Sequence, residues 1–178
     1  MAKGADPATK LLWIDLEMTG LEVEKEVIIE VAALVTDLHL VELASYHTVV
    51  KQPQHYLDNM DEWNQLHHGD SGLTAKVPKG KDPKLTEKEL IALVQHHFKK
   101  EPAIIAGNTI YQDRTFIKKY WPDFDKVLHY RMLDVTSWKI IFKNRFNIEP
   151  DKQQNHRALD DIRESIDELK HYLNYIRV

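Results

Sequence analysis

Cysteine is absent from this chain of 178 residues. Disulfides and thiolate metal sites are therefore excluded. Any metal must rest on carboxylates, imidazoles or carbonyls, a donor set that leans toward Mg²⁺ or Mn²⁺ and away from structural zinc. No apolar run approaches the ~20 residues that a membrane span needs. The opening stretch, MAKGADPATK, has no apolar segment of the kind that marks a secretory signal. A cytoplasmic protein with no membrane attachment is the expectation. A basic stripe is missing too: the formal net charge is −4, with Lys and Arg scattered. A protein that tracks along extended nucleic acid usually carries positive charge to displace counterions, so one reading is that any nucleic acid bound here is short; the other is that net charge says little about one local site. Repeats and low-complexity segments are absent as well.

What is present suits a folded core. Hydrophobic residues make up 43% of the chain, too many for a disordered protein, and the length fits one domain of ordinary size. Residues 1–10 read as a flexible lead-in and 11–178 as one domain. Leu11–Leu16, Val27–Val35 and Tyr46–Lys51 read as a three-stranded meander, with His39 in its second turn. Short helices are expected within Pro53–Gly72 and a loop over Pro78–Pro83. Thr86 and Glu89 have the spacing of a capping box, opening a helix to about Lys99. Ala103–Ala106 and Leu128–Val135 read as strands, and Asp113–Tyr120 and Ser137–Phe146 as helices. The last helix carries Leu159, Ile162, Ile166, Leu169, Leu173 and Ile176 at three- and four-residue steps, a core stripe. Three strands followed by alternating helix and strand predict an α/β fold with a mixed five-stranded sheet flanked by helices.

Certain acids stand out against this apolar framework. Asp15 and Glu17 are two residues apart on a strand, so both project from one face. Like charges that close are costly unless a cation lies between them; a solvated strand edge is the other reading. Asp113 follows a buried strand and begins a helix, where an Asp is often only a cap. Asp161 lies beside core Ile162, and its helical neighbours Ala158 and Ser165 are both small. That narrow strip lets the helix approach another element and present Asp161 inward, while Asp160 falls on a different face. His156 precedes the helix, placed either at the surface or over a site.

The stretches WIDLEMTGL, DEWN with HHGDSGL, AGNTIYQD, HYRMLDVT and HRALDDIRESI run from Trp13 to about Ile166. Together they resemble the DEDD-type exonucleases of the ribonuclease H-like fold, in the histidine subclass, and the oligoribonuclease family in particular. The tyrosine subclass would place Tyr four residues before the last Asp, where this chain has Arg157. The resemblance implies that Asp15, Glu17, Asp113 and Asp161 bind two divalent cations, Mg²⁺ or Mn²⁺. Two such ions, roughly 4 Å apart, can clamp the attacking and leaving oxygens of an in-line displacement at phosphorus. His156, with an ordinary pKa near ~6.5, suits the removal of a proton from the attacking water. The implied activity is 3′→5′ cleavage of very short RNA, dinucleotides above all, to nucleoside 5′-monophosphates.

The same resemblance carries over substrate contacts. Leu21 and Trp63 match residues that wedge and stack bases, an interaction tolerant of sequence because every base has a π-face. His68, Asn108, Thr109, Gln112, Arg131 and Thr136 match phosphate and sugar contacts, with Arg131 suited to cap a terminal phosphate through its bidentate fork. The family is dimeric, which implies a homodimer in which Tyr130 reaches the partner's active site. The other reading of Tyr130 is packing in its own core. Tyr111 is bulkier than expected beside Asp113, and the loop Asn147–Asn155 matches no motif. Two rival functions stay open: a proofreading DNA exonuclease, and a non-catalytic module that holds short RNA.

Overall fold

The computed structural model describes residues 8–150 and 158–176. Among these, five strands form one mixed sheet: β1 (Lys10–Met18), β2 (Ile28–Asp37), β3 (Glu42–Val49), β4 (Ala103–Gly107) and β5 (Leu128–Asp134), in the order β3-β2-β1-β4-β5. The first three pair antiparallel as the meander, and β4 joins β1 and β5 in parallel. Helices α1 (Gln54–Asp58), α2 (Glu62–Asp70), α3 (Leu73–Lys76), α4 (Pro83–Phe98), α5 (Tyr111–Tyr120), α6 (Pro122–Asp125), α7 (Val135–Phe146) and α8 (Ala158–Leu173) surround it. This is the α/β class expected, a mixed five-stranded sheet flanked by helices. No helix among the described residues is long and apolar enough to cross a membrane.

Strand alternation divides β1 between two cores. Leu12, Ile14 and Leu16 pack with Leu90 and Val94 of α4 and with Phe116 and Ile117 of α5. Leu11 and Trp13 pack on the other face with Phe142 of α7 and with Ala158, Ile162, Ile166 and Leu169 of α8. Asp15 and Glu17 continue this second face, by the two-residue period of a strand. The α8 stripe therefore lies over the strand that carries the paired acids. Leu173 and Ile176, expected in that stripe, are exposed, and Tyr172 takes the buried position at its end.

Other local differences follow from competing chemistry. Helix α4 starts at Pro83, not at Thr86: Asp82 is its N-cap, accepting the N–H groups of Lys84 and Leu85, and Pro83 suits a first helical position. Thr86 is instead buried in the first turn, donating its hydroxyl to the Asp82 carbonyl, and Glu89 pairs with Lys81 and Tyr46. Helix α7 likewise begins earlier than Ser137, because Asp134 caps it through the Thr136 N–H.

Candidate active site

The carboxyl ends of the parallel strands β1 and β4 lie together, where ligands of open α/β sheets tend to bind. Gly107 ends β4 against β1; a Cβ there would sit 2.9 Å from the Ile14 carbonyl oxygen, so only glycine permits this approach. The chain then turns through Asn108 and Thr109 into α5, which brings Asp113 over the end of β1. There the Asp113 Oδ1 accepts the Leu16 N–H at 3.0 Å, and the residue is only 7% exposed. Asp113 therefore does not serve as a helix cap; its carboxylate is tied to the strand between the two β1 acids. Helix α8 approaches from the other layer. Asp15, Glu17 and Asp161 each offer an oxygen within 4.8 Å of the others, a geometry that could hold a metal ion. The narrow strip foreseen on α8 is present: Ala158 and Ser165 are both buried. Asp160 is not one of these three and pairs with Arg163.

Electrostatics mark this cluster as incomplete. Burial, and then repulsion from Asp113, Glu17 and Asp161, hold the Asp15 carboxyl well above the usual range. Burial together with Glu30 and Asp161 raises Glu17 to about 7. Burial raises Asp113 to about 7 despite the opposing Leu16 hydrogen bond. Carboxyls pushed up by one another and by a dry environment are restored to their ionised form by a cation. The donor set is all oxygen, which suits a hard divalent ion.

The rim is of another character. Leu21 and Trp63 are 72% and 66% exposed, so Trp63 is not a core tryptophan; its ring stacks on His67 at 4.6 Å. Gln112 donates its amide to the Leu21 carbonyl at 2.9 Å, fixing the loop that presents Leu21. His68 is buried and donates from Nε2 to the Met18 carbonyl at 3.0 Å; burial lowers its pKa. Thr109 and Thr136 meet through their hydroxyls at 3.2 Å. Asn108 joins them, accepting the Thr136 hydroxyl and donating to Ser165 and Glu168. Tyr130 is 72% exposed, which removes the reading of it as a core residue, and Arg131 lies over its ring at 5.2 Å. Tyr111, also exposed, lines a cavity of about 580 Å³ beside Tyr130 and Met132. His156 and Arg157 lie outside the described residues.

Three neighbours of the site escaped the sequence reading. Glu30 lies opposite Glu17 in register and pairs with His47 at 2.7 Å; the signal was an acid inside the apolar run IIEVAA. Asp134 was hidden by placing the start of α7 too late. Glu168 lies seven residues after Asp161, two helical turns along the same face, and that spacing was available.

Comparison with known proteins agrees with this geometry. The exonuclease family model matches residues 12–169. The human mitochondrial oligoribonuclease is 42% identical over 185 residues, covering 99% of this chain and 77% of that protein. The oligoribonuclease of Ectopseudomonas mendocina is 46% identical over 171 residues, covering 91% of this chain and 93% of its own length. Among solved structures, E. coli exonuclease I in complex with a dT13 oligonucleotide superposes with a TM-score of 0.72 at 13% identity. That match covers 94% of this chain but only 41% of exonuclease I, so the chain spans about two fifths of that enzyme's length and shares its ribonuclease H-like fold. A family model over nearly the whole chain and 42–46% identity to oligoribonucleases along most of its length place this chain in the oligoribonuclease family of exonucleases.

Proposed function

We propose that this chain is a 3′→5′ exoribonuclease that degrades very short RNA, dinucleotides above all, to nucleoside 5′-monophosphates, acting as one domain over residues 11–178. The observation that carries the reading is the set of converging carboxylates, three of them with oxygens within 4.8 Å of one another. Asp15, Glu17, Asp113 and Asp161 are the proposed ligands of two divalent cations, Mg²⁺ or Mn²⁺. Bound there, such ions would supply Lewis acidity at the phosphodiester and would lower the pKa of a water toward neutrality. The protein's own part is positional. The strand fixes Asp15 and Glu17 side by side, and the Leu16 N–H orients Asp113. His156 takes the proton from the attacking water as general base.

Substrate binding is assigned to the rim. Leu21 wedges between bases and Trp63 stacks on one. His68, Thr109, Gln112 and Thr136 are the proposed sugar and phosphate contacts, and the ribose 2′-hydroxyl supplies preference for RNA. Arg131 caps the 5′ phosphate and so closes the groove a few nucleotides from the cut. Net charge supports the same limit on length, since few phosphates can be neutralised. The proposed working unit is a homodimer in which an exposed Tyr130 from each protomer completes the other's site, as a twofold axis requires of any such exchange.

The test is incubation of the protein with 5′-labelled RNAs of two to ten or more nucleotides, with Mg²⁺ or Mn²⁺, and resolution of the products. Dinucleotides should disappear fastest, with mononucleotides released from the 3′ end and none formed in EDTA. Equal rates on long and short RNA would contradict the cap. Equal rates on ribo- and deoxyribodinucleotides would favour a DNA exonuclease of the same fold.

A further inference from the structure

The four acids differ in what fixes them. Asp15 and Glu17 belong to β1 and are held in register with Ala32 and Glu30 of β2, and Asp113 is tethered to that strand by a hydrogen bond. Asp161 rides on α8, whose contact with the sheet is made by Ala158, Ile162, Ile166 and Leu169. Apolar contact of that kind is non-directional; it holds the helix down but does not set its position along the strand to a fraction of an ångström. Directional ties set that position, and one of them lies at the level of Asp161.

We infer that Asn108, Ser165 and Glu168 form a strut that sets α8, and with it Asp161, against the turn leading to Asp113. In this role Asn108 is a positioning residue for the metal-binding carboxylates and not a contact to substrate. The inference rests on the reading of those carboxylates as cation ligands. The Ser165 hydroxyl donates to the Asp161 carbonyl at 3.0 Å and accepts the Asn108 Nδ2 at 2.8 Å. The same amide nitrogen reaches Glu168 Oε2 at 3.3 Å. An Asn amide has two hydrogens, and both have partners inside the protein, so none is left over for a phosphate oxygen.

Glu168 is buried, and a buried carboxylate is costly unless it is paired and hydrogen-bonded. It has both kinds of partner: Tyr172 donates its hydroxyl to Oε1 at 2.8 Å, and the Lys139 ammonium lies at 3.7 Å. On the turn side, Asn108 Oδ1 accepts the Thr136 hydroxyl at 3.3 Å. Thr109 beside it has a φ of 51°, a left-handed conformation that is unusual for threonine. Its N–H is held by Thr136 Oγ1 at 2.9 Å and by Asp134 Oδ1 at 3.1 Å. The turn is therefore fixed on one side and Asn108 transmits that fixity to α8. Asn108 lies five positions before Asp113 and Ser165 four positions after Asp161, so the strut joins the two acids that come from different layers of the fold.

The test is Mn²⁺ binding by the full chain, followed by electron paramagnetic resonance, beside melting in EDTA and steady-state kinetics on a diribonucleotide. Loss of residues that orient metal ligands commonly weakens the metal ~10–100-fold. Asn108→Ala and Ser165→Ala should weaken Mn²⁺ in that range, leaving the melting temperature in EDTA near that of the wild type and KM unchanged at saturating Mn²⁺. Glu168→Gln should stay close to the wild type, because its amide oxygen can still accept from Asn108, whereas Glu168→Ala should resemble Asn108→Ala. Should Glu168→Ala fail to fold, Ser165→Ala, which deletes one atom, carries the comparison. Unchanged Mn²⁺ affinity with a raised KM in Asn108→Ala would overturn the strut and make Asn108 a substrate contact. Wild-type protein that binds Mn²⁺ but cleaves no RNA would sink the exoribonuclease reading and leave the strut standing. Wild-type protein that binds no Mn²⁺ would remove both.

Discussion

The floor of the site and its rim are unfinished in opposite ways. On the floor, Asp15, Glu17 and Asp113 are packed against apolar neighbours and repel one another, with Glu17 and Asp113 raised to about 7. What they lack is positive charge. On the rim, Leu21, Trp63, Tyr111 and Tyr130 stand in solvent, and what they lack is apolar cover. On the proposed function, a short nucleic acid with its divalent ions would supply both at once, the ions and phosphate at the floor and the bases at the rim. The difference also separates the chemistry from the recognition, because the floor is drawn from β1 and the inward faces of α5 and α8, while the rim is drawn from the loop after β1 and from exposed positions of α2, α5 and β5. Changes to the floor should act on turnover, and changes to the rim on KM and on substrate length.

Breaking the floor should have the largest effect. Asp15→Ala, Glu17→Ala, Asp113→Ala and Asp161→Ala should each cut turnover of a diribonucleotide by about three orders of magnitude or more, because each removes a ligand from a unit that acts as one. Asp160→Ala should stay within about twofold, since an exposed pair with Arg163 is worth little. A dead Asp160→Ala beside an active Asp161→Ala would reverse the ligand assignment. His156→Ala should lower turnover ~10²–10⁴-fold, with part of the loss recovered at high pH, where hydroxide replaces the base. A drop in Mn²⁺ affinity as its main effect would make His156 a ligand.

The rim comparison sharpens through the partner chain. Tyr130→Ala and Asp15→Ala should each be nearly inactive alone. After subunit exchange, a heterodimer has one site with intact carboxylates on the Tyr130→Ala chain, and that site receives Tyr130 from the Asp15→Ala chain. Activity should therefore return on mixing; no recovery after proven exchange, or full activity in a monomer, would count against action in trans. A smaller effect is expected at Trp63. Stacking on a base is worth ~1–3 kcal/mol, so Trp63→Ala should raise KM roughly 5–150-fold with kcat little changed. A loss confined to kcat would instead make Trp63 part of the machinery that holds the floor.

The fold was readable in the sequence wherever period and burial agree. The alternation of Leu12, Ile14 and Leu16 with Trp13, Asp15 and Glu17 places the paired acids without any tertiary information, and the stripe on α8 places Asp161. Pattern failed where a local polar contact competed with it: Asp82 took the cap that Thr86 and Glu89 advertised, and Tyr172 displaced Leu173 and Ile176 from the core. The candidate site was legible in its carboxylates and obscure in their supports. Asp15 and Glu17 are adjacent in the chain's own period, whereas Asn108 meets Ser165 and Glu168 across 57 and 60 residues. No one-dimensional spacing encodes that meeting; it exists only after β4 and α8 have packed.

The smallest expected effect is on stability, and its sign follows from the raised carboxyls. Glu17 has an ordinary value of 4.5 and Asp113 one of 3.8, and both reach about 7 in the fold. The folded protein thus binds these protons more tightly than the unfolded chain does. Stability from this source is fully present below about pH 4 and is lost as pH rises through about 7, because the unfolded state there holds fewer protons than the native one. Thermal melts in EDTA should therefore show a lower melting temperature at pH 8 than at pH 5. Mg²⁺ or Mn²⁺ should restore it at pH 8 by binding only the folded state, and should do much less at pH 5, where protons occupy the same carboxyls. Glu17→Gln and Asp113→Asn remove the groups that titrate, so each should flatten the pH dependence in EDTA and weaken the response to metal. A metal-free protein that grows more stable from pH 5 to pH 8, with both variants following the same course, would mean that the floor is not strained by its own charge, and the contrast with the rim would fail at its first term.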